Sequence, residues 1–290
     1  MATRGREPVA GVHTTSTGTV AFVPDGDGRG GWTVLVNGVP SSHLDPDDPT
    51  RLDFEYMRWI GDFLDVVAEP GAGLRVAHLG GAGCTLPRYV AATRPTSRQV
   101  VFELDPEVLD AVRAAFGFRS TRSLRLRAGE GREGLATLPD ASQDIVVRDA
   151  FTGALVPPSL RTRQFLAEVA RVLADDGCYV ANLADAPGLA NARSEAATTL
   201  TRFPSVALIA EPAQFKGRRY GNVVLLAGKA PLPIEELRRR LAGGVVRARL
   251  LDTGEVRAFA AGRIPEEDPG HLRWLTDPEP DADSRDPARR

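Results

Sequence analysis

Three acidic residues close strand-like runs in this chain, and a glycine-rich turn closes a fourth. The turn is Gly80-Gly81-Ala82-Gly83 after LRVAHL; the acids are Glu103 after VVF, Glu130 after LRLRAG and Asp149 after DIVVR. Glycines let a backbone approach a ligand closely, and carboxylates at strand tips can accept hydrogen bonds from sugar hydroxyls and ring nitrogens. Glu103 follows the turn by roughly 20 residues, the interval that sets an acid against ribose hydroxyls in a nucleotide-binding βαβ unit. The set describes a nucleoside pocket. No Gly-Lys-Ser/Thr follows the glycines, so a triphosphate-binding loop is excluded, and Leu86 stands where a dinucleotide fingerprint needs its third glycine.

These residues need strands to carry them. Apolar runs at 74–79, 100–102, 123–127, 144–149 and 178–183 alternate with helical stretches at 84–92, 106–115, 131–138 and 159–173. Asp105-Pro106-Glu107 is a helix start, with an Asp cap, a proline at the first helical position and an acid near the positive helix end. Further on, a helix at 189–201, strands at 206–210 and 222–227 and a helix at 234–241 complete the pattern. Such alternation predicts an α/β fold, a mostly parallel sheet of seven strands with helices on both faces and the last strand antiparallel. Ligands of such sheets bind beyond the carboxyl ends of the strands, where the turn and the three acids meet.

Ahead of this domain, runs at 17–23 and 31–36 flank a turn-rich PDGDGRG and read as a hairpin, with Asn37-Gly38 a second turn. A helix at 51–67 carries Leu52, Tyr56, Trp59, Ile60, Phe63 and Leu64 at helical spacing. The expected divisions are a disordered 1–15, a small β domain at 16–50, the nucleoside-binding domain at 51–245, an extension at 246–261 and a disordered acidic, proline-rich tail at 262–290.

A net charge of -2 draws the chain to neither nucleic acid nor an anionic membrane. No apolar run approaches the length of a membrane span, and the first residues lack the apolar core of a secretory signal, so a cytoplasmic location is expected. Cys84 and Cys178 fit no metal spacing and read as buried thiols, and no metal is expected. Asp25 and Asp27 lack the remaining ligands of a calcium loop.

The pattern resembles the spermidine synthase family, the polyamine aminopropyltransferases. VAHLGGAG, VVFELDPEVLDAV, RAGEGREGL, DIVVRDAFTG and CYVANLAD carry the resemblance, in order and over residues 35–227. It implies a Rossmann-like fold of the S-adenosylmethionine-dependent transferases behind a small β-hairpin domain. By the same resemblance Gly80, Gly81 and Gly83 border the donor, Glu103 holds its ribose with Asp105 beside it, and Glu130 and Gly131 lie near the adenine. Asp149 matches the acid that activates the attacking amine and touches the donor, while Tyr56, Thr152 and Tyr220 are candidates for the acceptor side. The implied donor is decarboxylated S-adenosylmethionine, the acceptor a small amine, and the assembly a homodimer or larger.

Two departures bear on the acceptor. Gly83 and Thr152 stand where the family usually has the carboxylates that bind a diamine, and an unpaired buried ammonium is costly. Putrescine is therefore a doubtful acceptor. A methyltransferase using intact S-adenosylmethionine, or a non-catalytic nucleoside-binding module, are the alternative readings. His78 argues against an ordinary methyltransferase, since those enzymes often carry an acid two residues before the first glycine. Flanked by Ala77 and Leu79, it reads as core.

Overall fold

The computed structural model describes residues 10–26, 28–81, 83–153 and 155–269. The amino-terminal part is a four-stranded antiparallel meander: β1 (Gly11–Thr15), β2 (Gly18–Pro24), β3 (Trp32–Val36) and β4 (Val39–Leu44). The expected hairpin is its middle, and β1 begins inside the stretch expected to be disordered. The outer strands escape a hydrophobic-pattern reading because they are edges. Four of the five β1 residues are exposed, and β4 is Val-Pro-Ser-Ser-His-Leu, its Pro40 placed beside a register shift at Val34/Leu35. Asn37 and Gly38 both have positive φ, 52° and 78°, the backbone that a two-residue hairpin turn requires.

The large sheet is built from β5 (Arg75–Leu79), β6 (Arg98–Glu103), β7 (Leu124–Ala128), β8 (Gln143–Arg148), β9 (Leu173–Asp185), β10 (Ser205–Ala210), β11 (Gly221–Gly228) and β12 (Arg249–Leu251). Helices α1 (Glu55–Val67), α2 (Thr85–Thr93), α3 (Pro106–Phe116), α4 (Gly131–Ala136), α5 (Arg163–Val172), α6 (Ala190–Thr199), α7 (Pro212–Phe215), α8 (Ile234–Ala242) and α9 (Thr253–Phe259) intervene. The strand order is β12-β10-β11-β9-β8-β5-β6-β7. Strands β5 to β9 run parallel, while β11 is antiparallel to both its neighbours. The three-residue β12 adds an eighth strand, from a segment expected to be an extension, by pairing with β10. Strand β9 starts at Leu173 rather than 178, with a bulge carrying it past the Asp175-Asp176-Gly177 turn.

Strand order reverses between β5 and β8, and the tips of these two strands are tied together, Asp149 N donating to Leu79 O at 2.9 Å. One sheet face packs Leu79, Phe102, Val146 and Tyr179 against α5 residues such as Phe165 and Leu166. The other packs Val76, Val147, Val180 and Val224 against α1, α2 and α8, including Trp59, Phe63, Val90 and Leu237. Among the described residues no helix is long and apolar enough to cross a membrane.

The small sheet is fixed to this core through α3. Val20, Phe22, Val34 and Leu44 meet Val108 and Val112, and Asp105, at the α3 amino terminus, clamps the β1–β2 turn. Its Oδ1 accepts from Ser16 Oγ (2.8 Å), and its Oδ2 accepts from Thr17 N (2.9 Å) and Thr17 Oγ1 (2.6 Å). At the other terminus the chain departs from the expected disorder as far as residue 269. The tail's first acids find partners on the helices: Glu266 N donates to Thr198 Oγ1 at 2.9 Å, and Asp268 pairs with Arg132 at 2.7 Å. Residues 270–290 lie outside the described residues.

Candidate active site

The glycine turn is shaped by its neighbours. Gly80 has φ of 91°, and a Cβ there would lie 2.2 Å from the Asp149 carbonyl oxygen, so any side chain would force the β5 and β8 tips apart. Gly81 N donates to Glu103 Oε2 at 2.9 Å, and the other Glu103 oxygen accepts from Asp105 N at 3.2 Å. Glu103 thus stands half-buried at the tip of β6, facing the turn, as the spacing predicts.

Gly83 is different. Its N–H donates to Ser42 Oγ at 3.0 Å, and a Cβ there would come within 2.7 Å of Ser42 Cβ and 2.8 Å of Leu44 Cδ2. It abuts β4 of the small sheet, not open ligand space. Asp105 also leaves the expected donor site. Its oxygens are taken by the β1–β2 turn and by the α3 cap, with Glu107 N at 2.9 Å, and it is buried. Burial opposes its ionisation, but the hydrogen bonds from Thr17 and Ser16 prevail and hold the carboxyl below the usual range. Glu130 caps α4 by accepting from Glu133 N at 2.9 Å and stays partly exposed beside the β7 tip. Gly131 packs on Leu79, where a Cβ would sit 3.1 Å from Leu79 Cβ.

Asp149 is the centre. Tyr56 Oη, from α1, donates to its Oδ2 at 3.1 Å, and Asn182 Nδ2, from β9, donates to its Oδ1 at 2.9 Å. Burial raises the Asp149 pKa, opposed by the bonds from Asn182 and Tyr56 and by the Arg148 charge. Burial also holds the Tyr56 phenol well above its ordinary value, helped by the Asp149 charge, so Tyr56 remains a donor. Asn182 was not singled out from sequence. Its signal is a lone amide inside the apolar run CYVANLAD; the register Arg148↔Ala181 then brings it level with Asp149.

A cavity of about 30 Å³ opens at Asp149 and runs beneath the glycine turn, between Met57, His78, Leu86 and Val147, with Ser41 and Ser42 of the small sheet at its rim. Burial lowers the His78 pKa to about 4 despite its Gln99 contact at 2.9 Å, so it is neutral at pH 7. Among the described residues on this wall, Asp149 is the one charged group. Two residues expected on the acceptor side are placed elsewhere: Thr152 is exposed on a turn bridged to Leu155, and Tyr220 is 55% exposed, neither lining the cavity. Both belong to loops outside the strands, where strand spacing gives no position. Lys216 and Arg218 are exposed, and Arg219 pairs with Glu211 at 2.7 Å. Cys84 and Cys178 are buried thiols, each raised by burial to about 12.

Tyr56→Phe removes a bond that favours the Asp149 carboxylate. The acid limb of any activity governed by Asp149 should therefore move to higher pH, with a plateau loss of roughly tenfold, the scale of one hydrogen bond to a charged group. A pH–rate profile checks it: a lower plateau with an unmoved limb would show that Tyr56 only packs.

No protein-family model matches the chain. The chain is 31% identical over 142 residues to the polyamine aminopropyltransferase of Vibrio vulnificus, a match covering 48% of this chain and 46% of that protein. It is 32% identical over 114 residues to an eEF1A lysine and N-terminal methyltransferase of Danio rerio, covering 36% of this chain and 16% of the other. The chain thus spans less than half the length of these curated relatives. Among solved structures, a probable spermidine synthase from Corynebacterium glutamicum superposes with a TM-score of 0.84 at 36% identity, over 90% of this chain and 97% of that one. With the Asp149 site and the layout of small sheet and large sheet, this likeness along nearly its whole length makes the chain a member of the spermidine synthase-like family.

Proposed function

We propose that this protein transfers an aminopropyl group from decarboxylated S-adenosylmethionine to an amine other than putrescine. The observation that carries the reading is a buried carboxylate, Asp149, held by Tyr56 and Asn182 on a cavity whose described wall has no cation. Such a wall suits a cationic chain and an amine. It does not suit the carboxylate of intact S-adenosylmethionine, which would need donors to offset its desolvation. Two backbone donors of the glycine turn are committed, Gly81 N to Glu103 and Gly83 N to Ser42.

Glu103, with Gly80 and Gly81 beside it, would hold the nucleoside end, and Glu130 would stand near the base. The sulfonium supplies an electrophilic carbon and a neutral thioether leaving group. Asp149 orients the amine, whose pKa is near 10 as for a lysine, and accepts a proton as nitrogen attacks. The new N–C bond forms as the C–S bond breaks, releasing methylthioadenosine. Asn182 Oδ1, buried with no partner among the described residues, offers a second acceptor for an amine N–H. By the resemblance, Gly83 and Thr152 stand where a diamine-binding site has carboxylates, which makes putrescine a doubtful acceptor.

Methyl transfer is the second reading, favoured by the likeness to the Danio rerio methyltransferase. Calorimetry with the two donors separates them. Decarboxylated S-adenosylmethionine should bind at least roughly tenfold more tightly, the scale of one unpaired polar group. A preference for the intact donor contradicts the aminopropyl reading.

A further inference from the structure

After α9 the chain crosses the sheet face that carries α4, α5 and α6, held there by charge. Glu266 N donates to Thr198 Oγ1 of α6 at 2.9 Å, and its carboxylate meets Arg161 at 3.2 Å. Glu267 pairs with Arg163 of α5 at 3.0 Å. Asp268 reaches α4, where it takes two bonds from Arg132 at 2.8 and 2.7 Å and one from Thr162 Oγ1 at 2.7 Å. From α6 through α5 to α4, the path heads for the β7 edge of the sheet.

That edge is lined with arginine. Arg125 and Arg127 of β7 are in register with Val100 and Phe102 of β6 and share their face. This is the face on which α4 packs, a Cβ on its Gly134 falling 2.2 Å from the Phe102 ring. The Arg127 guanidinium lies 5.9 Å from the centre of that ring. Arg119 and Arg122 belong to the preceding loop, which folds back along β7, Leu126 N donating to Ser120 Oγ at 3.1 Å. All four arginines are exposed, and among the described residues none makes an ion pair. Four guanidinium groups within nine residues thus have no acidic partner among the described residues.

We propose that the acidic run at 277–286, Asp-Pro-Glu-Pro-Asp-Ala-Asp-Ser-Arg-Asp, docks on this arginine edge and continues the pairing that Glu266, Glu267 and Asp268 begin. The run holds five acids and one arginine. From Pro269 to Asp277 an extended chain spans at most about 28 Å. Arg127, five positions before Arg132, lies within about 17 Å of it along the chain. Pro278 and Pro280 oppose helix and favour extended backbone. Acids at alternate positions 277, 279, 281 and 283 then recur about every 7 Å, near the interval between Arg125 and Arg127. Each exposed pair is weak, but tethering makes the contacts cooperative.

The test uses the full chain with nitroxide labels on Ser123→Cys and Ala282→Cys; buried Cys84 and Cys178 stay unlabelled. Pulsed dipolar spectroscopy at about 0.05 M salt should give one narrow distance distribution. Replacing Arg119, Arg122, Arg125 and Arg127 by Gln should broaden it roughly twofold, toward that of a flexible linker. Salt of about 1 M, where the Debye length is ~3 Å, should do the same. A distribution already broad, or a narrow one unmoved by the glutamines, overturns the proposal. So does a narrow signal lost on dilution with unlabelled protein, which assigns the run to a second copy.

Discussion

Asp149→Asn sharply lowers turnover while the protein stays folded. The loss expected in kcat is about 10²–10⁴-fold, the range for removing a positioned acid–base group. Folding should survive because the buried charge opposes it. Burial raises the Asp149 pKa above its unfolded value, so the folded state holds the proton over a pH window in which the unfolded chain has lost it. Stability therefore falls as pH rises through that window, and the deficit persists at neutral pH. The amide removes the charge and still offers Tyr56 and Asn182 their partners. At pH 7 the variant should melt at or above the temperature of the parent, with little change at a pH below both pKa values. A lower melting temperature at pH 7 would show that the carboxylate is a structural anion.

Glu195→Leu should cost about 3–5 kcal/mol of stability, the scale for stranding one partner of a buried ion pair. Arg148 and Glu195 are 0% and 1% exposed and meet at 2.6 Å behind the β8 tip. Burial pushes the Glu195 carboxyl up to about 7, against the pull of Arg148. The double variant Arg148→Leu/Glu195→Leu should recover most of the loss, since a packed apolar pair often equals a buried ionic one. It carries a second signature. The Arg148 charge lowers the pKa of its neighbour Asp149, so the acid limb of activity should move to higher pH although the fold is restored. Denaturant unfolding and a pH–rate profile read the two effects separately. If the double variant is as unstable as Glu195→Leu, the pair is held by more than its mutual charge.

The alternation of β5 to β11 with their helices was legible because most of these strands are buried and read as continuous apolar runs. The strands β1, β4 and β12 were not. They sit at edges and carry weak patterns: β1 is mostly exposed, β4 holds Pro40 and two serines, and β12 is three residues long. Glu103 was legible because its distance from the glycines is set within one βαβ unit. Asp105 carries two signals, a helix cap and an acid near a strand tip, and only the approach of the β1–β2 turn decides between them. Gly83 and Ser42 meet across 41 positions, a contact that no local pattern contains. Asn182 reaches Asp149 through the β8–β9 register, which the bulge at 174–177 shifts away from a simple count. Tyr220 and Thr152 came from resemblance alone, and their loops carry them away from the cavity.

The most direct measurement is the release of methylthioadenosine from decarboxylated S-adenosylmethionine by the purified full chain, across a panel of amines. Methylthioadenosine should appear at least roughly 10²-fold above an Asp149→Asn control with one or more amines, and little should appear with putrescine. No release above that control with any amine, in a protein that binds the donor, would contradict the aminopropyl reading.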